Sequence, residues 1–195
     1  PTRIRVKRSR FEVDLNRDED DAVYETPDDA WGLRIWDQAG LSAEEKAHSL
    51  AIHERYYDML EALLKRVQKE HGDFVLLDVH SYNHRRDGPN ASPTPAEQAP
   101  EVNIGTISMD RERWAHVVEP FMACLAAQNF RGRRLDVREN VAFQGRGEQT
   151  RFVHEQFPEH GCAIAIEFKK FYMDEWSGWP DFADLRAMRK LIRET

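Results

Sequence analysis

The apolar run from Phe74 to Val79 constrains the fold of this chain more than any other sequence feature. The run is rich in β-forming residues and follows Gly72, so it predicts a buried strand near the centre of a sheet. Asp78, His80 and His84 lie within or just after it. Ligands of open α/β sheets bind at the carboxyl ends of strands. His80 is therefore a candidate metal ligand, or alternatively a hydrogen-bonded core histidine.

Strand-like and helix-like segments alternate along the rest of the chain. Period-2 alternation and apolar runs predict further strands at residues 4–6, 11–15, 102–107, 135–140 and 162–166. Apolar residues at three- to four-residue spacing predict helices at 42–72, after Asp110, at 150–157 and at 182–192. This alternation predicts one α/β domain over residues 1–195, with a mixed, mostly parallel sheet flanked by helices.

Composition limits the classes of partner. The 195 residues are 41% hydrophobic, enough for one sizeable core, and no apolar run reaches the roughly 20 residues of a membrane helix. The net charge of −7 disfavours non-specific nucleic-acid binding. Cys124 and Cys162 are far apart and form no CxxC, and no signal peptide is evident. We therefore expect a cytoplasmic protein with a small-molecule ligand.

Three other predicted strand ends carry polar groups. Asn16 and Arg17 follow one strand, and the Arg17 guanidinium could clamp a carboxylate or pair with one of the acids at 18–21. Arg138 is a second candidate anion clamp. Glu167 ends an apolar strand, where a partly desolvated carboxylate suits a general base. Its alternative role is a salt bridge with a lysine at 169 or 170.

Several other residues have structural interpretations. Trp31 and Trp36 are expected to cover the core, since aromatic stripes are more often packing than ligand sites. His53, inside the long helix, and His154 are not expected to be catalytic. Four prolines between residues 89 and 100 exclude regular structure. That segment is expected to be a substrate wall, a lid or a disordered insertion.

Five segments carry a resemblance to a known family. They are VDLNR (13–17), LLDVHSYNHR (76–85), VNIGT (102–106), VREN (137–140) and IEFKKFYMDEW (166–176). Together they resemble the N-formylglutamate amidohydrolase family, which belongs to the zinc-carboxypeptidase and aspartoacylase-like superfamily. The resemblance covers nearly the whole chain.

The resemblance implies a zinc exopeptidase-like fold and specific residue roles. Asn16 and Arg17 would bind the substrate carboxylate, His80 would be the last zinc ligand, and Glu167 would be the general base and acid. The implied function is zinc-dependent hydrolysis of a carbon–nitrogen bond in a small N-acyl amino acid such as N-formylglutamate.

Two departures from the family pattern bear on this expectation. The superfamily takes its first two zinc ligands from a motif upstream of DLNR, and this chain begins just before that motif, so we expect it to be N-terminally incomplete. The expected Gly-Gly after VREN is Gly145-Arg146-Gly147. The alternative function is therefore a catalytically incomplete relative that acts as a ligand-binding or regulatory domain.

Overall fold

Four helices and four strands account for the regular secondary structure that the computed structural model describes over residues 2–37 and 40–195. In chain order they are α1 (Ala43–His71), β1 (Phe74–Tyr82), β2 (Val102–Gly105), α2 (Ala115–Ala127), β3 (Val137–Glu139), α3 (Glu148–Gln156), β4 (Gly161–Lys169) and α4 (Phe182–Glu194). None of the helices in these two ranges is both long and apolar enough to cross a membrane.

The chain divides into two compact units. The first runs up to Phe74 and includes Gly147–Gln149, and the second comprises Val75–Arg146 and Thr150–Thr195. Helix α1 dominates the first unit, whereas most of the sheet and its helices form the second. The predicted extent of one domain over 1–195 stays a prediction.

Helix α1 begins and ends at the residues that its sequence specifies. Ser42 and Glu45 form a capping box, in which the Ser42 Oγ accepts from the Glu45 N–H and the Glu45 carboxylate accepts from the Ser42 N–H. At the other end Gly72 has a φ of 79°, and its N–H donates to the Gln68 C=O. The prediction for 42–72 is confirmed.

The sheet has the strand order β1-β4-β2-β3. Strand β2 pairs in parallel with β3 and antiparallel with β4. The Lys170 N–H donates to the Tyr82 C=O at 3.0 Å, which joins the carboxyl ends of β4 and β1. These two neighbours therefore run in the same direction. The predicted α/β class with a mixed sheet is confirmed.

One face of this sheet carries the core of the second unit. Alternate residues of β4 on that face, from Cys162 to Phe168, are all buried. They belong to one cluster with Trp114, Val118, Leu125, Met188 and Leu191, which come from α2, α4 and the turn before α2. Burying each large aliphatic side chain contributes roughly 1.5–3 kcal/mol. The opposite face of β4 carries the small residues Ala163 and Ala165 and then Glu167.

Two predicted strands do not form, and the predicted position of a third strand in the sheet is wrong. Residues 4–6 and 11–15 form no strand; Ile4 and Val6 are exposed, while Val13 and Leu15 pack in a small cluster with residues of α1. Strand β1 was expected at the centre of the sheet but lies at its edge, with every second residue exposed. β1 has apolar side chains on both faces, which is the sequence pattern of a central strand. Composition alone does not show which of the two faces is buried.

The remaining elements shift only at their ends. Helix α2 begins at Ala115, after a turn in which the Asp110 carboxylate accepts from the Arg113 N–H at 3.0 Å. Pro120 lies inside this helix, which continues to Ala127. The segment with four prolines contains no helix or strand, as predicted.

Candidate functional site

The sheet register aligns four polar residues of the second unit. Asn103 pairs with Glu167 on β4 and with Arg138 on β3. The Lys170–Tyr82 hydrogen bond fixes the register between the parallel strands β4 and β1. In this register His80 lies beside Glu167. Directly paired residues place their side chains on the same face of a sheet. The row His80–Glu167–Asn103–Arg138 thus crosses the face opposite the apolar core.

His80 is oriented by a buried carboxylate. Its Nε2 lies 2.7 Å from the Asp78 Oδ1, and the Asp78 side chain is almost fully buried. The two residues are i and i+2 on one strand, so they share a face of the sheet. A carboxylate that accepts from Nε2–H favours the tautomer with its lone pair on Nδ1. This pairing of a histidine with a carboxylate fits either a ligand or a structural hydrogen bond.

Glu167 lies near the carboxyl end of β4 and is partly exposed, unlike the buried residues that precede it. The two lysines proposed as its salt-bridge partners each make one hydrogen bond to another residue, and the salt-bridge alternative stays a prediction. Lys169 Nζ donates to the Ala99 C=O at 2.8 Å, and Lys170 Nζ donates to the Asn83 Oδ1 at 2.7 Å. The predicted position of Glu167 near the end of a strand is confirmed, while its role as a general base stays a prediction.

Arg138 holds the proline-rich loop. Its Nε donates to the Asp136 carboxylate at 3.0 Å, and its two Nη groups donate to the C=O groups of Ala96 and Glu97. All three guanidinium nitrogens therefore contact the protein itself. The prediction that Arg138 clamps an anion stays a prediction, and its observed contacts are structural.

Asn103 was not among the predicted site residues, although it lies in the centre of the row. Its Oδ1 accepts from the N–H groups of Val141, Ala142 and Phe143 at 3.0, 2.8 and 3.4 Å. Its Nδ2 donates to the Phe143 C=O at 2.7 Å. One fully buried side chain thus fixes the turn after β3. The only hint in the sequence was an amide flanked by apolar residues in a strand.

Two glycines allow the chain after β3 to pass close to the sheet. A Cβ on Gly105 would lie 2.4 Å from the Gly145 backbone nitrogen, which is closer than side chains tolerate. Gly145 also has a φ of 71°, a conformation that favours glycine. The Gly145-Arg146-Gly147 segment therefore keeps one glycine where β2 requires it.

A cavity of about 160 Å³ lies beyond the carboxyl ends of β1 and β4. Its lining includes His84, Arg85, Lys170 and Glu175. The buried Glu175 carboxylate accepts from the His84 and Arg85 N–H groups and lies 3.1 Å from the His84 Nδ1. Burial lowers the pKa of His84, so its imidazole is neutral at pH 7. The cavity occupies the position where ligands bind in α/β sheets.

In the first unit, Asn16 contacts the start of α3. Its C=O accepts from the Glu148 N–H at 3.0 Å, and its Oδ1 accepts from the Gln149 N–H at 3.2 Å. Asn16 thereby satisfies two N–H groups that a helix start leaves without intrahelical partners. A Cβ on Gly147 would overlap the Asn16 side chain. The predicted role of Asn16 in substrate binding stays a prediction.

Arg17 interacts mainly with aromatic rings. Its guanidinium carbon lies 4.8 Å from the Tyr24 ring centroid and 5.8 Å from that of Trp31. Its ion pair is with Asp14, at a long 3.8 Å from Nε, and not with an acid at 18–21. The Asp14 carboxylate instead makes a 2.8 Å hydrogen bond with Arg10. Arg17 therefore retains the donors that a carboxylate ligand requires.

Two residues of α1 hold the segment that carries Arg17. His53 Nε2 contacts the Arg17 C=O at 2.8 Å, and the Tyr57 hydroxyl donates to the Leu15 C=O at 2.6 Å. The two rings pack against each other at a tilt of 43°, with centroids 4.8 Å apart. Their i, i+4 spacing on one helix face was the available sequence signal. The observed contact of His53 is therefore with the backbone of the Arg17 segment.

His154 is structural. Its Nδ1 lies 3.1 Å from the Ser108 Oγ, and its Nε2 accepts from the Ala163 N–H at 3.0 Å. Burial lowers its pKa to about 4, so the ring stays neutral and can accept. The residue links α3 to β4.

The described residues do not by themselves fit a zinc ion. Structural and catalytic zinc sites use three or four protein ligands. Within residues 2–37 and 40–195, no group of three or more histidine, cysteine, aspartate or glutamate side chains is placed to hold a metal. His80 with Asp78 supplies only part of such a donor set, so we derive no step through a metal.

Comparison with known proteins identifies the fold and the family of the chain. The structure is similar to that of N-formylglutamate amidohydrolase from Ralstonia eutropha JMP134, with a TM-score of 0.66 and 15% identity over 93% of this chain and 69% of that one. It is also similar to a gene product of Agrobacterium tumefaciens, with a TM-score of 0.54 and 16% identity over 94% of this chain and 68% of that one. At such identities the similarities establish the fold alone. None of the curated proteins matches the chain significantly. The family model of N-formylglutamate amidohydrolase matches residues 2–173, and the chain therefore belongs to this family.

Proposed function

We propose that this protein hydrolyses the amide bond of a small N-acyl amino acid such as N-formylglutamate. The observation that carries the proposal is the position of Glu167. It lies near the carboxyl end of β4, in register with His80 on β1. The segments that follow these two strands line the cavity described above. Membership of the amidohydrolase family supports the reaction class.

Glu167 acts as the general base and then as the general acid. Its carboxylate takes a proton from water, and the resulting hydroxide adds to the amide carbonyl carbon. The carbon–nitrogen bond then breaks, and the proton held by Glu167 passes to the leaving amine. The products are a carboxylic acid, which is formate for a formyl substrate, and an amino acid.

Arg17 binds the substrate carboxylate, and Asn16 assists it. The arginine supplies a charged planar donor that matches two carboxylate oxygens. The long contact with Asp14 and the nearby aromatic rings support this role, because they hold the guanidinium without using its donors. His53 positions the segment through the Arg17 carbonyl.

Zinc dependence stays a prediction that composition analysis can test. Purified protein and a His80→Ala variant would be analysed for zinc by mass spectrometry. About one zinc per chain that is lost in the variant would support His80 as a ligand. The absence of zinc from protein purified and dialysed with zinc would contradict it.

A matched pair of variants tests the reaction. We expect Glu167→Gln to lower kcat by about 10²–10⁴-fold, the usual contribution of general acid–base catalysis. The control Glu155→Gln changes an exposed glutamate of α3 and should leave turnover unchanged. Urea unfolding of both variants would check the fold. Unchanged turnover in Glu167→Gln, or no hydrolysis of any N-acyl amino acid by the zinc-supplemented protein, would contradict the proposal.

The second candidate is a ligand-binding or regulatory domain with an incomplete catalytic centre. The absence of a metal-holding group among the described side chains favours it. This candidate predicts carboxylate binding that depends on Arg17 but no hydrolysis with or without zinc. Calorimetry of binding beside the turnover assay separates the two functions.

A further inference from the structure

Trp31 has an unusual position beside the Arg17 guanidinium. Its side chain was expected to cover the core, but the residue is 61% exposed. Its φ of 55° places a bulky residue in the left-handed region, which strains the backbone. Strain of this kind persists where surrounding contacts enforce it, and it concentrates at ligand sites.

The surrounding contacts hold the Trp31 ring in place. The ring packs edge-to-face against Tyr24 with centroids 5.6 Å apart. The guanidinium carbons of Arg10 and Arg17 lie 5.3 and 5.8 Å from its centroid. An exposed indole is thus fixed next to the cation that we assign to carboxylate binding.

Among the described contacts, Arg17 is more weakly paired than Arg10: it acts on the Asp29 carboxylate electrostatically and makes no ion pair closer than 3.8 Å. Arg10 is neutralised by its 2.8 Å hydrogen bond with Asp14. The Tyr24 hydroxyl also donates to Asp14, and burial together with this bond raises the pKa of Tyr24 to about 12, so the phenol stays neutral. Arg17 contacts the same carboxylate only at 3.8 Å. The cluster therefore provides for one carboxylate, with an apolar aromatic surface beside it.

From this geometry we infer that Trp31 selects the substrate side chain: the preferred ligands are amino-acid derivatives with one carboxylate and a flat apolar or aromatic side chain. Arg17 holds the carboxylate, and the side chain stacks on the exposed Trp31 ring. This inference rests on the proposed role of Arg17 and narrows the substrate class. Within the proposed class of N-acyl amino acids, this inference favours those with an aromatic side chain over N-formylglutamate, because Arg10, the other arginine beside Trp31, is already paired with Asp14.

Binding of ligands without an amide bond to hydrolyse tests the inference apart from turnover. The probes are 3-phenylpropanoate, which has one carboxylate and a ring, glutarate, which has two carboxylates and no ring, and 3-phenylpropanamide, which has no charge. Ligand-observed NMR titration of the full chain would give the dissociation constants. We expect 3-phenylpropanoate to bind about five- to tenfold more tightly than glutarate, as an aromatic contact permits. We expect it to bind at least tenfold more tightly than the uncharged amide.

Variants assign the two contacts. Trp31→Ala should weaken 3-phenylpropanoate binding about five- to tenfold and leave glutarate binding unchanged, while Trp31→Phe retains most of the affinity and the fold. Arg17→Gln should weaken both acids at least tenfold. Trp179→Ala removes another exposed tryptophan and should change neither acid.

The outcomes separate this inference from the proposed function. Tight binding of the aromatic acid that depends on Trp31, without hydrolysis of any N-acyl amino acid, would support the inference and refute the proposed function. Equal or tighter binding of glutarate, an unchanged Trp31→Ala variant, or no binding of any probe would overturn the inference. In those cases hydrolysis by Glu167 could still be measured independently.

Discussion

Replacement of Asn103 by alanine tests whether one side chain organises the turn after β3. Three of its four hydrogen bonds are 3.0 Å or shorter, and the fourth is 3.4 Å. Each good bond contributes about 1 kcal/mol net, which gives about 3 kcal/mol for the three. Val141 is exposed, so water can solvate its released N–H and reduce part of this cost. We expect Asn103→Ala to lower the free energy of unfolding by about 2–4 kcal/mol.

Two measurements locate this effect. Urea unfolding should show a lower midpoint at an unchanged m-value, because the surface exposed on unfolding is the same. Amide hydrogen exchange should accelerate at residues 141–143, whose N–H groups lose their acceptor. Asn129→Ala is the matched control, since Asn129 accepts only from the Gly132 N–H in another loop.

The control should cost about 1 kcal/mol, the contribution of one hydrogen bond. A loss below 1 kcal/mol in Asn103→Ala, or unchanged protection at residues 141–143, would refute the role of Asn103. The loop after β3 would then be held by its own contacts.

Three further predictions concern stability. The pKa of His154 is lowered to about 4 from an ordinary 6.5. As the pH falls, the histidine of the unfolded chain therefore binds a proton before that of the folded protein. The contribution of this residue to stability is full above pH 6.5 and declines toward pH 4. After allowance for partial exposure, the free energy of unfolding should decline by about 1–2 kcal/mol over this range. The His154→Gln variant should show a flatter dependence of this free energy on pH in urea unfolding, and the same slope as the unchanged protein would contradict the prediction. In urea unfolding, Gly105→Ala should cost at least about 3 kcal/mol, because its Cβ meets the Gly145 backbone. Gly72→Ala meets no neighbouring atom but has a φ of 79°, so it should cost about 1–2 kcal/mol of backbone strain. Equal losses would show that strain at Gly105 relaxes. Tyr57→Phe should lose about 1 kcal/mol in thermal or urea unfolding, because one carbonyl loses its donor; a neutral change would mean that water replaces the hydroxyl.

Local sequence signals predicted the elements that depend on local chemistry. The capping box at Ser42 and Glu45 and the glycine at 72 marked both ends of α1, because caps act on neighbouring backbone groups. Apolar runs located β2 and β4 within a few residues. The predictions of two N-terminal strands were wrong because alternating apolar residues form a strand only beside a partner strand. Val13 and Leu15 bury their side chains against α1 instead.

The candidate site was predicted in part, since residue types and strand ends can be read from sequence. Their alignment into one row depends on register between strands that are distant in the chain. The contacts of Arg138 with the carbonyls of residues 96 and 97 depend on the path of a loop, which no local pattern encodes. Trp31 shows the same limit of sequence-based prediction. An aromatic residue in a sequence predicts packing in the core, and only the backbone geometry and the nearby arginines indicate an exposed ring that could contact a ligand.

Strand β1 has a consequence for handling the protein. It is a nine-residue strand at the edge of the sheet and contains no lysine, arginine or proline. Val75, Leu77 and Val79 are exposed along one of its faces. Long apolar edge strands template pairing with other chains, and natural proteins commonly interrupt them with charges. The isolated chain should therefore self-associate through this edge as its concentration rises, and Leu77→Lys should suppress the resulting light scattering.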